Sequence, residues 1–143
     1  MITARLSEEL ARLEADGAAP LDKLDGLLTV YLRTLADNPT LSRVFLVEVY
    51  AAGPRAIRQR RDALESFVDL VAETHRGSQG MLGTEPWQRT AAEVLVDAVS
   101  SRVTTAVALG ETADLWALHE PMMRFAARVL DPTRPAVTTP EPR

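Results

Sequence analysis

The sequence contains no cysteine. Disulfides, thiolate catalysis and thiol-based metal or redox sensing are therefore excluded, and redox chemistry gives no guide to compartment. Long apolar runs are missing as well. None reaches the roughly 18 residues that a membrane helix needs, and the opening MITARLSEEL has no apolar stretch of the signal-peptide kind. The expectation is a cytoplasmic protein with no membrane partner. Excess positive charge is also lacking: with a formal net charge of −4, the chain does not offer the clustered Lys and Arg on which phosphate binding relies. No β-strand pattern and no internal repeat can be read.

What remains is an ordinary globular composition, 46% hydrophobic and 25% charged, on a chain of 143 residues that suits one domain. Its organisation is helix after helix. Ile2, Leu6, Leu10 and Leu13 recur at helical spacing in a first amphipathic helix ending at Gly17. A second follows Pro20, with Leu24, Leu28, Tyr31, Leu32 and Leu35 on one stripe. Asn38-Pro39 stops it and restarts the chain, Asn as an N-cap and Pro in a first turn where its missing N–H costs nothing. The third helix, roughly 40 to 51, is apolar nearly all round and is expected in the middle of the domain.

After Gly53-Pro54 a fourth helix runs from about 54 to 76, with Ile57, Leu64, Phe67, Val68 and Val71 on its inner side. Arg58, Asp62, Glu65, Asp69 and Glu73 mark its solvated face. GSQGMLG, 77–83, reads as a mobile loop; no strand precedes it and no Gly-Lys-Ser/Thr follows, so it is not a phosphate loop. Thr84 is the expected N-cap of a fifth helix that ends near Gly110 and is about 37 Å long at 1.5 Å per residue. Thr112 caps a sixth, 113–130, which Pro121 should bend. Residues 1–130 thus form an all-α, six-helix domain, and the proline-rich 131–143 a disordered tail.

The fifth and sixth helices each carry two apolar stripes. Ala91, Leu95 and Ala98 oppose Ala92, Val96, Val99, Val103 and Val107, while Leu115, Leu118, Met122, Phe125 and Val129 accompany Trp116, Met123, Ala127 and Leu130. A helix at the edge of a monomer needs only one such face. The second faces are expected to meet a partner subunit in an isologous four-helix bundle, with Val96, Val99, Val103, Val107, Trp116, Met123, Ala127 and Leu130 at the interface.

Catalytic patterns are weak. His75 and His119 are the only histidines, and neither stands in a metal-ligand spacing; the Glu-x-x-His of di-iron bundles is missing. No nucleophile elbow is present. For each imidazole a hydrogen-bonded structural role outweighs a catalytic one, and no catalytic residue, metal or cofactor is expected. The basic run Arg55, Arg58, Arg60, Arg61 is diluted by the acids that follow and has no interleaved aromatics, so it reads as a solvated face. Trp87, Trp116, Met81, Met122 and Met123 suit either a pocket wall or packing.

Glu48 is the sharpest single residue. In VFLVEVYAAGP it shares a helical side with Leu41, Val44, Phe45, Ala51, Ala52 and Arg55, which points it into the domain. An acid there must be ion-paired, hydrogen-bonded or protonated. It is either half of an interhelical salt bridge or the polar anchor of an apolar ligand cavity.

The succession NPTLSRVFLVEVYAAGPRAIRQRR, a long helix, a loop, then AAEVLVDAVSSRVTTAVALGETADLWALHEPMMRFAARVL, resembles the C-terminal domain of TetR-family transcriptional regulators over residues 2–130. The resemblance implies an all-helical homodimer whose last two helices form the dimer bundle, and a pocket for a small, often apolar effector among the preceding helices. The residues expected at that pocket are Tyr31, Phe45, Glu48, Val49, Phe67, Val71, Trp87, Leu95, Trp116 and Met122. In such regulators the effector shifts two N-terminal helix-turn-helix heads and so changes operator affinity. That head has no counterpart in this sequence, so operator DNA would be a partner only through it. An excised effector domain is favoured over a regulator that lost its head. The competing readings are an all-helical enzyme and an interaction bundle with no cavity.

Overall fold

The computed structural model of the protein describes residues 2–74 and 85–130. His75, the glycine-rich 77–83, Thr84 and the tail 131–143 lie outside the described residues, as do the side chains of Trp87 and Leu130. Every regular element among the described residues is helical. They are α1 (Ile2–Ala15), α2 (Pro20–Asp37), α3 (Pro39–Leu46), α4 (Pro54–Glu73), α5 (Glu85–Ala108) and α6 (His119–Leu130), with 3-10 segments at Glu48–Tyr50 and Thr112–Leu118.

The boundaries follow from local chemistry. Pro20, Pro39 and Pro54 each open a helix at a position whose N–H has no intrahelical acceptor. Gly17 and Gly110 close α1 and α5 with positive φ angles of 68° and 79°. At both, the glycine N–H bonds a carbonyl three residues back and the next N–H bonds one five residues back, the Schellman arrangement that satisfies terminal carbonyls. Asn38 departs from the expected N-cap role. Its Nδ2 turns back and donates to the Thr34 carbonyl at 2.8 Å, so it finishes α2 and makes no side-chain cap on α3.

Two predicted helices are shorter than their sequence patterns. Over 40–51 the α-helix stops at Leu46 and the chain tightens to 3-10 geometry at Glu48–Tyr50. The wheel that joined Glu48 to Leu41 and Val44 therefore does not exist beyond Leu46. Nor is this segment central: Leu41 and Val44 are about half exposed, at 49% and 48%. At the C-terminal side, Thr112–Leu118 is 3-10 and α6 begins only at His119. Pro121 then falls in the first turn of α6, where it costs no hydrogen bond. The predicted bend is thus a change of helix type ahead of the proline.

α1 packs along α2 and touches α4; α4 lies against α5; and α2 also meets 112–118 and α6. The principal core joins Leu6 and Leu10 of α1, Leu27, Tyr31, Leu32 and Leu35 of α2, Phe67 and Val68 of α4, and Ala92, Val96, Val103 and Val107 of α5. A second cluster joins Leu24, Ala91, Leu95 and Ala126. Both apolar stripes of α5 are therefore covered by the chain itself. Val103 and Val107 are 0% and 1% exposed, and Val96 is buried beside them. That corrects the assignment of Val96, Val103 and Val107 to a subunit interface, because these side chains face the chain's own core and the exposed face of α5 is a different one. Ser42 fixes the end of α3 against α2 by donating from Oγ to the Leu35 carbonyl at 2.9 Å, although it is almost fully buried.

Candidate functional site

A cavity opens where α1, α2, α4, α5 and α6 converge. It has a volume of about 100 Å³ and is partly open to solvent. Leu6 contributes from α1, and Leu24, Leu27, Leu28 and Tyr31 from α2. Phe67, Leu70 and Val71 come from α4, Leu95, Val96, Val99 and Ser100 from α5, and Met122, Met123 and Ala126 from α6. A wall of leucine, valine, methionine and aromatic carbon with one or two polar atoms is the usual form of a small-molecule site. Dry cavities of about 150 Å³ accept a benzene ring, so this volume suits a short chain or part of a ring.

Of the residues expected at a pocket, Tyr31, Phe67, Val71, Leu95 and Met122 lie on this wall. Val96, Val99 and Met123, expected at a subunit interface, line it too. Phe45 and Val49 pack nearby without reaching it, and Ala127 is half-buried on α6. Glu48 does not point inward: its side chain is 56% exposed and its carboxylate pairs with Arg43 at 3.6 Å on the surface. Trp116 is likewise outside the cavity and about half exposed.

A buried polar group behind the cavity wall was not legible as such. Arg60, read from sequence as part of a solvated basic face, is 5% exposed. Its Nη2 donates to the Ser100 hydroxyl at 2.9 Å and to the Thr104 hydroxyl at 3.3 Å, and its Nε to the Tyr50 hydroxyl at 3.3 Å. The guanidinium also lies 6.0 Å from the Phe45 ring centroid and 5.9 Å from that of Tyr50. Every hydrogen-bond partner is a neutral hydroxyl; no described carboxylate lies within ion-pair distance, and Nη1 bonds no described residue. A buried cation without a counter-ion is costly, and three hydroxyl dipoles compensate it only in part. One signal was available: Arg60 stands four residues before Leu64 and seven before Phe67, in step with the inner stripe of α4.

Tyr31 is the second unusual polar group. It is 7% exposed, and its hydroxyl makes no hydrogen bond to a described residue. Burial pushes its phenol up to about 12, against the opposing pull of the Arg60 charge. The tyrosine is therefore neutral throughout the physiological range and offers a donor at the cavity wall.

His119, at the start of α6, faces α2. Its Nε2 is 2.5 Å from Asp25 Oδ1 and 3.5 Å from the Thr29 hydroxyl, and its ring stacks on Trp116 with centroids 4.4 Å apart. The carboxylate and the hydroxyl meet the same ring nitrogen. A catalytic relay requires the orienting acid on one nitrogen and the nucleophile on the other. This cluster ties α6 to α2. Among the described residues no group of three or more His, Asp or Glu side chains is placed to hold a metal ion, and no helix is long and apolar enough to cross a membrane.

No family model matches the chain, and no curated protein or solved structure matches it either.

Proposed function

We propose that the chain is the ligand-sensing and dimerisation domain of a TetR-like transcriptional regulator. A small, largely apolar effector occupies the cavity and modulates DNA binding by a helix-turn-helix head joined to α1. The observation that carries this reading is the cavity itself: a preformed apolar space walled by five of the six α-helices, in a fold whose regular elements among the described residues are all helical. The sequence resemblance to TetR effector domains supports it independently. An interaction bundle with a closed core has no need of such a space, since empty volume in a core costs stability.

The cavity also suggests how occupancy is transmitted. Leu6, on the helix that would lead to the head, forms part of the wall, and α1 rests on α2 and α4, which supply half of the remainder. A ligand that fits one setting of α1 better than another shifts the balance between them by its difference in affinity. Tight binding to both settings equally would shift nothing.

Thermal unfolding in the presence of a neutral apolar probe such as octanol tests the proposal. A sensor gains stability with ligand concentration as RT ln(1 + [L]/Kd), so the midpoint should rise progressively and saturably. A midpoint that never rises, across alcohols of increasing chain length, would sink the reading. Light scattering at micromolar concentration tests the other half, for which a mass of two chains is expected.

A further inference from the structure

Arg60 ties α4 to α5 and to Tyr50 through hydroxyls, yet its charge has no counter-charge among the described residues. A leucine or methionine at the same step of α4 would continue the inner stripe without the expense of burying a charge, and neither Ser100, Thr104 nor Tyr50 supplies the negative charge that a guanidinium favours. Its position relative to the cavity supplies a reason. Ser100 is at once a cavity-wall residue and the acceptor of the 2.9 Å bond from Arg60 Nη2. Tyr31, whose buried hydroxyl has no described partner, stands on the same wall. Tyr31 thus lines an otherwise apolar chamber, and Arg60, which does not itself line it, stands behind the wall one hydrogen bond from Ser100, near enough for its charge to act on the Tyr31 phenol.

We infer that the Ser100 side of the chamber is an anion subsite, and that the effector is an amphipathic carboxylic acid whose apolar body fills the chamber while its carboxylate bonds Tyr31 and, with Ser100 turned aside, Arg60 behind it. The inference rests on the ligand-sensing reading of the cavity and names its ligand class. The chemistry fits in detail. An ionised carboxylate accepts through two oxygens and leaves the donor-only guanidinium satisfied, with Nη1 as its open donor. Ser100 and Thr104 are hydroxyls free to rotate, so on ligand entry they turn their own protons toward the carboxylate instead of opposing it. Phosphate monoesters fit less well, because their second negative charge would have no further cation to oppose it beside an apolar wall.

Isothermal titration with octanoate and with octanol tests the subsite, because the two differ in charge at one end and share the apolar body. The unaltered chain should bind octanoate roughly tenfold to a hundredfold more tightly than octanol, as a charge-assisted pair in a dry site allows. In Arg60→Met that preference should vanish while octanol binding persists. Arg60→Lys should keep part of the preference, since the charge remains but the planar fork is lost. Equal affinity for acid and alcohol in the unaltered chain would overturn the anion subsite and leave the apolar sensor standing. Binding of neither would overturn both. Should Arg60→Met fail to fold, the acid-to-alcohol ratio in the unaltered chain and in Tyr31→Phe decides the matter: an unchanged ratio near one in both refutes the subsite.

Discussion

Tyr31 of α2 meets Phe67 of α4 edge to face, with ring centroids 5.6 Å apart and planes inclined at 71°. The contact joins two walls of the cavity through carbon alone and leaves the phenol hydroxyl without a described partner. Tyr31→Phe should therefore keep the ring contact and remove a buried donor. Stability at neutral pH should be unchanged or higher by about 1 kcal/mol, measured by urea unfolding with an unaltered slope. A loss of more than about 1 kcal/mol would show that the hydroxyl is bonded.

The same residue gives a pH dependence whose sign can be worked out. The folded phenol is raised to about 12 from an ordinary value of 10.0. Between those limits the unfolded chain has lost a proton that the folded chain retains, so stability falls as pH rises. The contribution is complete below pH 10 and is lost as pH climbs toward about 12; at pH 11 the loss is on the order of 1.4 kcal/mol. Comparing urea midpoints of the unaltered chain and Tyr31→Phe from pH 9 to 11 isolates it. The gap should widen steadily in favour of the phenylalanine variant, and a constant gap would contradict the burial of the phenol.

Gly26 sets how closely α1 approaches α2. A Cβ at this position would stand 2.5 Å from Leu13 Cδ1 and 3.1 Å from Glu9 Oε1. Both are the ends of flexible side chains, so Gly26→Ala asks Leu13 to change rotamer while gaining about 1 kcal/mol of helix propensity. The two effects nearly cancel, and a stability change within about 1 kcal/mol is expected. Gly26→Leu has no such offset: its branched side chain must push the helices apart, at a cost of about 2 kcal/mol or more. Because Leu6 on α1 lines the cavity, this variant should also weaken apolar ligand binding, whereas a variant with unchanged binding would show that α1 is not a working wall.

Helix limits were legible wherever the chain carries its own punctuation. Pro20, Pro39, Pro54, Gly17 and Gly110 each act through a backbone constraint that operates whatever the tertiary context. Residues that depend on helix type and rotation were not. Glu48 was placed by continuing an α-helical wheel through a segment that tightens after Leu46, and Arg60 by grouping it with neighbouring arginines in sequence. Ile57, expected on the inner stripe of α4, is 41% exposed while Arg60 is buried, a small rotation of the helix that no periodicity of apolar residues could fix. Tyr31, Phe67 and Met122, expected at a pocket, line the cavity from α-helical segments in which each points inward.

The altered position of Glu48 changes what its substitution should do. Glu48→Gln removes one half of a surface pair with Arg43, both side chains about half exposed. Exposed pairs of this kind contribute little, so stability should move by no more than about 0.5 kcal/mol and octanol or octanoate affinity should not move at all. A change of several kcal/mol on urea unfolding would return the residue to the interior.

The subunit interface, if the chain pairs as proposed, must use side chains that the monomer leaves outside. Val103 and Val107 are committed to the core, so Val103→Glu should unfold the chain through a buried, unpaired charge rather than separate subunits. On the same two helices Val94 and Phe125 remain 49% and 40% exposed. Val94→Glu together with Phe125→Glu should leave the helical circular dichroism and the thermal midpoint of the folded unit nearly unchanged while lowering the light-scattering mass from two chains to one. Retention of the two-chain mass in that double variant would place the interface elsewhere, with Leu41, Val44 and Tyr50, the exposed apolar residues around α3, as the next surface to charge. The contrast between the two substitutions is informative because both introduce the same glutamate. Only the side from which the valine is seen by solvent differs, and with it the cost of a carboxylate: several kcal/mol where no water can reach it, and close to nothing where water can.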